Sequence, residues 1–171
     1  VDNHVLSTNG DTYPVFEADY IQTLLSDSSA IKFLKLEYAD LTPELIGILN
    51  ESTDIVVLLS TSHPNGVGEQ RAFFHTLLNE GCTVPVVLCR SYAETDLQHL
   101  QIKAATDLGV LFIDGFGDGI FLENKGNIGV EAVCSVAFGI LQGSRVRITK
   151  TEYVSCPSCG RTMFNLQTVI A

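Results

Sequence analysis

The run Ile55-Val56-Val57-Leu58-Leu59 limits the fold more than any other stretch, because it is apolar at every position. A strand with one wet face alternates apolar and polar residues, whereas a strand of a parallel sheet is covered on both faces and is apolar throughout. The run Val84 to Cys89 has the same character. Two such strands predict a parallel sheet, and parallel neighbours need long crossovers that are usually helices.

The segments around these runs carry helix and strand signals in alternation. Thr42 is a suitable N-cap, with Pro43 at the first helical position. Apolar residues recur at helical spacing over 14–25, around Phe73 and Leu77, over 97–108 and over 130–141, and the last of these stripes places Cys134 in the core. Cys89, within an apolar strand, is also expected in the core rather than as a nucleophile. Strands are predicted near 31–37, 54–59, 84–89, 110–113 and 145–149.

The predicted fold class is therefore α/β, with a mainly parallel sheet flanked by helices. Five strand–helix units do not close an eight-stranded barrel. An open three-layer sandwich is the first expectation for the architecture, and part of an opened (β/α) barrel is the alternative. The one domain boundary falls near residue 150, which separates an α/β body over 1–150 from a short piece over 151–171.

Composition narrows the class of protein. The chain has 171 residues, 46% of them hydrophobic, which is enough for one buried core. Its net charge of −10 argues against nucleic acid or an anionic membrane as a partner, and no apolar run approaches the ~18 residues of a membrane span. Five cysteines with a single CxxC pair suit a reducing compartment. Because the chain begins at Val1 and ends on an apolar stretch, we expect a fragment of a longer protein.

The charge is unevenly distributed. After Glu131 the chain has one acidic residue, Glu152, against four basic residues, Arg145, Arg147, Lys150 and Arg161, which leaves this part at +3. Such a segment is suited to an anionic substrate or an acidic electron donor. An ordinary solvated surface with local ion pairs explains it equally well.

Two loops offer polar residues at predicted strand ends. Thr61 to Gly68 follows the strand 54–59, and Asp114-Gly115-Phe116-Gly117-Asp118-Gly119 follows the predicted strand 110–113. Because ligands bind at the carboxyl ends of parallel strands, His63, Asn65, Asp114 and Asp118 form a candidate small-molecule site if the loops are adjacent. The alternative is that these side chains cap turns and face water. The glycine spacing does not match a dinucleotide fingerprint.

The sequence Cys156-Pro157-Ser158-Cys159-Gly160 is a compact cysteine knuckle. Such a pair occurs in structural zinc sites, in iron–sulfur clusters and in dithiol redox centres. A closed zinc site or a cluster needs further ligands, and the remaining cysteines (Cys82, Cys89 and Cys134) are isolated from one another. Spacing alone favours zinc first, a cluster second and redox chemistry third.

The longer run Lys150-Thr151-Glu152-Tyr153-Val154-Ser155-Cys156-Pro157-Ser158-Cys159-Gly160-Arg161-Thr162-Met163-Phe164-Asn165-Leu166-Gln167 resembles the entry to the iron–sulfur domain of 4-hydroxy-3-methylbut-2-enyl diphosphate synthase. The runs Asp114 to Gly119 and Phe138 to Arg145 resemble the extra central domain of the large form of that family, found in plants and some bacteria. The resemblance is strong over 110–167. It implies a central insertion domain over 1–150 and the start of the iron–sulfur domain over 151–171.

The resemblance also implies a function for the intact protein. In the family, a barrel domain that precedes this region binds a cyclic diphosphate, and a [4Fe–4S] cluster is held by three cysteines and a glutamate. Cys156 and Cys159 match the first two cysteines, while the other ligands lie further along. The family reduces the cyclic diphosphate of the methylerythritol phosphate route to isoprenoids, with electrons from a ferredoxin or flavodoxin.

By this resemblance the chain is expected to be inactive alone and to serve as a spacer or an interaction surface. The expected compartment is the cytoplasm, or the plastid stroma for a plant protein, and a homodimer is one expected assembly. The competing hypothesis is a non-enzymatic α/β binding module whose zinc knuckle is completed by a partner.

Overall fold

The computed structural model describes residues 4–8 and 11–152. Within these residues strands and helices alternate along the chain. The strands are β1 (His4–Thr8), β2 (Asp11–Glu17), β3 (Lys32–Leu36), β4 (Ile55–Leu59), β5 (Val86–Tyr92) and β6 (Gly119–Asn124). The helices are α1 (Ile21–Ser26), α2 (Pro43–Glu51), α3 (Gly66–Asn79), α4 (Leu97–Ala104), α5 (Val110–Ile113) and α6 (Val130–Gly143). A π-helical turn, Ala105–Gly109, joins α4 to α5.

The strands form one six-stranded sheet in the order β1-β2-β3-β4-β5-β6. The first pair is antiparallel, and β2 to β6 are all parallel. The α/β class with a mainly parallel, helix-flanked sheet is thus confirmed. Crossovers between parallel strands are nearly always right-handed, and with strands in consecutive order they place the helices on one face of a sheet. This order fits the alternative architecture, part of a (β/α) barrel, whereas a three-layer sandwich requires the strand order to reverse.

The core lies between this sheet and its helices. Alternate residues of the strands, such as Leu34, Val57 and Leu88, are fully buried and face helical residues that include Phe73 and Leu100. On the opposite face Leu58 is also buried, at 6% exposure. This two-sided burial of β4 is what its unbroken apolar sequence predicts.

The start of α2 is determined locally, as predicted. The backbone N–H of Leu45 donates to Thr42 Oγ1 at 3.2 Å, and Pro43 occupies the first turn. This bond satisfies one of the amide groups that a helix leaves without an internal partner at its N-terminus. Because the cap involves residues only three positions apart, the start of this helix can be predicted without the rest of the fold.

Two predicted strands are wrong. Val110 to Ile113 is helical and continues α4 through the π turn, so the strand lies later, in β6. A short apolar run looks the same in a buried strand and a buried helix, and here Leu111 and Phe112 are buried as helical residues. Residues 145–149 are not a strand either. Their alternating pattern follows a left-handed Arg145, with φ of 64°, that ends α6.

Two smaller expectations also change. The predicted helix 14–25 begins as strand β2, and only its second half is helical. Cys134 is exposed on α6 rather than buried in the core, because the apolar stripe of this helix extends beyond the surface that the sheet covers. Among the described residues no helix combines the length and the apolar character that a membrane crossing needs.

Candidate functional site

The two cysteines at the centre of the sequence argument, Cys156 and Cys159, lie outside the described residues. The structure describes the chain that leads to them as far as Glu152, where it is held against the end of α6. Among the described residues no three His, Cys, Asp or Glu side chains are grouped in a way that could hold a metal ion. The α/β body therefore shows no metal centre of its own within that region.

The loop between β4 and α3 carries His63 and Asn65. Asn65 is the N-cap of α3, and its Oδ1 accepts from the backbone N–H of Gly68 at 3.1 Å. The backbone N–H of Asn65 donates to His63 Nδ1 at 2.9 Å, and that of His63 donates to Thr61 Oγ1 at 3.1 Å. These bonds shape the turn that starts the helix, and both side chains remain exposed.

Asp114 and Asp118 lie in the loop between α5 and β6. Arg71 Nε donates to Asp114 Oδ2 at 3.1 Å, which links α3 to the end of α5. Asp118 Oδ2 accepts from the backbone N–H of Val86 at 2.8 Å, and the Asp118 N–H donates to Val86 O at 2.7 Å. Gly117, with φ of 89°, permits the turn between these contacts.

The structure does not bring the two halves of the candidate loop site together. The 114–119 loop precedes β6, so that Asp118 contacts Val86 at the start of β5. His63 and Asn65 follow the end of β4. In a parallel sheet the amino ends of all strands lie on one side and their carboxyl ends lie on the opposite side. Ligand binding at either loop stays a prediction, and a shared site would require a different arrangement.

Three partly unsatisfied polar side chains that the sequence analysis missed lie toward the carboxyl ends of the parallel strands. Among the described residues, Gln70 Oε1, Arg90 Nε and Nη2, and Asn124 Oδ1 are buried without a hydrogen-bond partner. Arg90 and Asn124 lie in the second halves of β5 and β6, and Gln70 Nε2 donates to Leu59 O at the end of β4, at 2.9 Å. No sequence pattern links these residues, because three separate elements bring them together.

Two of these side chains, Arg90 and Asn124, are closely packed against glycine residues. A Cβ on Gly66 would lie 2.4 Å from Arg90 Nη1, and one on Gly126 would lie 2.9 Å from Asn124 Oδ1. The glycines thus let backbone approach these polar groups directly, which leaves little space beside them. Asn124 Nδ2 donates to Glu94 O at 3.1 Å and holds the loop after β5. These contacts shape the carboxyl ends of β5 and β6.

Two titratable groups in β5 are strongly perturbed. Burial raises the pKa of the Cys89 thiol to about 12, although nearby Lys35 lowers it slightly. Burial also raises the pKa of Tyr92, as do the charge of Asp107 and its hydrogen bond with the phenol at 3.0 Å. A raised pKa keeps a thiol protonated near pH 7, which argues against a nucleophilic role for the half-buried Cys89.

No family model matches the chain, and no solved structure matches it significantly. Curated proteins do. A protein of Parabacteroides distasonis named 4-hydroxy-3-methylbut-2-en-1-yl diphosphate synthase (flavodoxin) is 51% identical over 173 residues, which cover 100% of this chain and 28% of that protein. A protein of Bacteroides fragilis with the same name is 43% identical over 171 residues, which cover 100% of this chain and 27% of that protein.

A plant relative extends the comparison. The protein of Oryza sativa subsp. japonica named 4-hydroxy-3-methylbut-2-en-1-yl diphosphate synthase (ferredoxin), chloroplastic, is 40% identical over 135 residues, which cover 75% of this chain and 18% of that protein. The chain thus spans little more than a quarter of the bacterial relatives that it matches over its whole length. This chain is therefore the counterpart of a segment of 4-hydroxy-3-methylbut-2-en-1-yl diphosphate synthase, as the resemblance around its cysteine pair implies.

Proposed function

We propose that this chain is the central part of an enzyme that reductively opens 2-C-methyl-D-erythritol 2,4-cyclodiphosphate. Two electrons and two protons enter, the ring opens, water is lost, and 4-hydroxy-3-methylbut-2-enyl diphosphate forms. The observation that carries the proposal is the 51% identity over the whole chain with a protein named for the synthesis of that product. The agreement spans both the α/β body and the cysteine run, so it does not rest on a short motif.

In this proposal Cys156 and Cys159 are two ligands of a [4Fe–4S] cluster, which supplies electrons when bound. Thiolates are the usual ligands of such clusters. The described residues add no group of three metal-binding side chains, so the remaining ligands are assigned to sequence beyond this chain, as the resemblance implies. The electron donor is a flavodoxin or a ferredoxin, the two carriers named for the relatives.

The α/β body, residues 1–150 in the proposed division, has no catalytic residue in this scheme. It is a spacer or an interaction domain, and the substrate is bound by a barrel domain outside this chain. The chain alone is therefore expected to be inactive, and turnover of the cyclic diphosphate by these 171 residues would contradict that. We place the protein in the cytoplasm, or in the plastid stroma for a plant source, as bacterial and chloroplastic relatives suggest. A homodimer is the proposed assembly, which sedimentation can test.

The test is anaerobic reconstitution, with iron and sulfide, of a longer protein that carries this chain and the downstream sequence. The visible and electron paramagnetic spectra are compared for the parent protein and the Cys156→Ser/Cys159→Ser double variant. Cys134→Ser is the matched control, because it makes the same substitution at a free cysteine that is exposed on α6. We expect the cluster signal to vanish in the double variant and to persist in the control.

Stoichiometric zinc without any cluster signal would overturn the proposal. It would support the competing hypothesis, an α/β binding module with a structural zinc knuckle, since the Cys156–Cys159 spacing taken alone favours zinc. Retention of an unchanged cluster in the double variant would instead overturn the ligand assignment alone. The analysis of bound metal in the same samples separates these two results.

A further inference from the structure

The chain leaves the α/β body through residues 144–152, which we call the exit segment. Helix α6 ends at Gly143, and Arg145 adopts a left-handed conformation with φ of 64°. The backbone N–H groups of Val146 and Arg147 then donate to Leu141 O, at 3.0 and 3.2 Å. These bonds reverse the chain direction and bring the rest of the exit segment back along the last turns of α6.

One side chain, Gln142, binds the far end of the exit segment. Its Oε1 accepts from the backbone N–H groups of Thr149 and Lys150, at 3.1 and 2.9 Å, and from Thr149 Oγ1 at 3.3 Å. Its Nε2 donates to Lys150 O at 3.0 Å and to Glu152 Oε1 at 3.3 Å. A single amide thus contacts both donors and acceptors of the backbone seven and eight residues later.

Two further contacts hold the same segment. Arg145 Nη1 pairs with Glu152 Oε2 at 2.6 Å, which ties the start of the segment to its end. The guanidinium of Arg147 lies over the ring of Phe138 on α6, 5.2 Å from its centroid. The segment is therefore anchored at its start, in its middle and at its end.

These contacts are not needed to end the helix. The last carbonyl groups of α6 are satisfied by other donors, because Ser144 Oγ donates to Ile140 O at 2.7 Å and Leu141 O accepts from Val146 and Arg147. None of the hydrogen bonds of the Gln142 side chain goes to a carbonyl of α6. Loss of that side chain should therefore release residues 149–152 while the helix and its C-terminal turn persist.

We infer that Gln142 is a positioning residue, which fixes the direction in which the chain leaves the α/β body toward Cys156 and Cys159. The exit segment is then a rigid joint and not a free linker, so that the orientation of the body determines where the cysteine pair starts. The value of such a joint for electron transfer rests on the function proposed above. The joint itself depends only on the contacts of residues 142–152.

The first test is hydrogen exchange of the 171-residue chain, followed amide by amide by nuclear magnetic resonance. The amides of Thr149 and Lys150 should be protected, and in Gln142→Ala they should exchange at least about tenfold faster, since each loses its acceptor. The amide of Val146, which donates to Leu141 O, should not change and serves as the internal control. Unprotected amides at Thr149 and Lys150 in the parent chain would overturn the inference.

The second test measures direction, which a merely structural role would not affect. Spin labels are placed on Cys134, which is exposed on α6, and on a thiol introduced by Thr151→Cys within the exit segment, with the other four cysteines replaced by serine. The inter-label distance distribution should be narrow in this parent and broad in Gln142→Ala, at an unchanged Tm. Equal widths in the two proteins would contradict a positioning role.

An exchange of the two partners provides a rescue. Gln142→Glu keeps an acceptor for the N–H groups of Thr149 and Lys150 but loses the donor to Lys150 O and places a second carboxylate beside Glu152, so it should loosen the end of the segment. In the double variant Gln142→Glu/Glu152→Gln, the carboxylate and the amide have changed places, and the net charge is that of the parent. This variant should restore part of the narrow distribution, because it gives up the ion pair between Arg145 and Glu152, whereas additive broadening by the two changes would count against the joint.

Neither measurement requires iron, sulfide or substrate. A narrow distribution that depends on Gln142 in a protein that binds only zinc would leave the joint intact and remove the proposed function. A protein that binds the cluster, but in which Gln142→Ala leaves the distance distribution unchanged, would support the proposed function and contradict the joint. The two ideas therefore fail independently.

Discussion

The central strand of the sheet, β4, and the C-terminal region, formed by the edge strand β6 and the segment after α6, are held in place by different interactions. At the centre, β4 is buried on both faces, with Ile55, Val57 and Leu59 almost inaccessible and Leu58 at 6% exposure on the other side. At the edge, Phe121 of β6 is 41% exposed, and the segment that follows α6 is held by side-chain contacts instead of strand pairing. The comparison teaches that hydrophobic burial specifies the centre, while a few polar contacts specify the edge.

The largest expected effect is at the centre. Leu88 is fully buried in β5, so Leu88→Ala should lower the free energy of unfolding by roughly 2–5 kcal/mol through lost packing and a cavity. Ile148→Ala is the matched control at the edge, where the side chain is 63% exposed, and should change it by less than about 0.5 kcal/mol. Urea unfolding measures both variants. Similar losses at the two positions would break the comparison.

A smaller effect is expected from the buried lysine at the start of β3. Lys32, 5% exposed, pairs with Asp54 at 2.6 Å and also donates to Asp27 O at 3.1 Å. Asp54→Asn weakens this pair and should cost about 1–3 kcal/mol, because a buried charge loses its counter-ion. Glu17→Gln is the control, since its pair with Lys35 is exposed on both sides and should contribute about 0–1 kcal/mol.

The same pair predicts the sign of the pH dependence. The hydrogen bond with Lys32 lowers the pKa of Asp54, and a hydrogen bond from Ser29 lowers the pKa of Asp27. A carboxyl group whose pKa is lowered by folding stabilises the protein above its unfolded pKa, and this stabilisation is lost as the pH falls through the folded value. The urea midpoint should therefore fall at acidic pH, and less steeply in Asp54→Asn. An identical slope in the two proteins would exclude Asp54 as a cause.

The cap of α2 should have a smaller effect, close to 1 kcal/mol. Thr42→Ala removes the acceptor of the Leu45 N–H, and such caps typically contribute about 1 kcal/mol. Thr42→Ser keeps the acceptor and should recover most of the loss, which makes it the matched control. If serine were as destabilising as alanine at this position, the hydrogen bond would not be the reason.

The last prediction concerns the chemical reactivity of two thiols and involves no change in stability. Cys89 has a pKa of about 12 because it is buried, whereas Cys134 is exposed. Alkylation at pH 8 followed by peptide mass mapping should modify Cys134 much faster, since only the thiolate reacts. Equal rates would show that β5 opens readily, which would contradict the rigid centre that its burial indicates.

The errors of the sequence analysis fall mostly on one side of this comparison. β4 and the start of α2 followed from local patterns, because burial on both faces and a capped first turn leave a direct signature. Val110 to Ile113 was misassigned because an apolar run of four residues suits either element, and the long helix before it decided the outcome. The Arg145 to Thr149 pattern was misread because Gln142, and no neighbouring strand, binds its backbone.

The candidate sites divide in the same way. The sequence could nominate Cys156 and Cys159, because their spacing and surroundings are continuous along the chain. It could not find the buried polar groups of Gln70, Arg90 and Asn124, because those residues come from three elements that are distant in sequence. It also grouped His63 and Asn65 with Asp114 and Asp118 on condition that their loops were adjacent, and that condition depended on the position of a single strand.

The sequence by itself determined that this chain is an α/β protein with a parallel sheet, where its central strands lie, and to which synthases it is related. Local sequence patterns indicate those properties: hydrophobic periodicity, helix-capping residues and the residues around the cysteine pair. Only the tertiary structure decided that the strands lie in consecutive order and that the exit segment is bound to α6. Strand order and that docking depend on contacts between residues far apart in the chain, for which a single sequence carries no local signal.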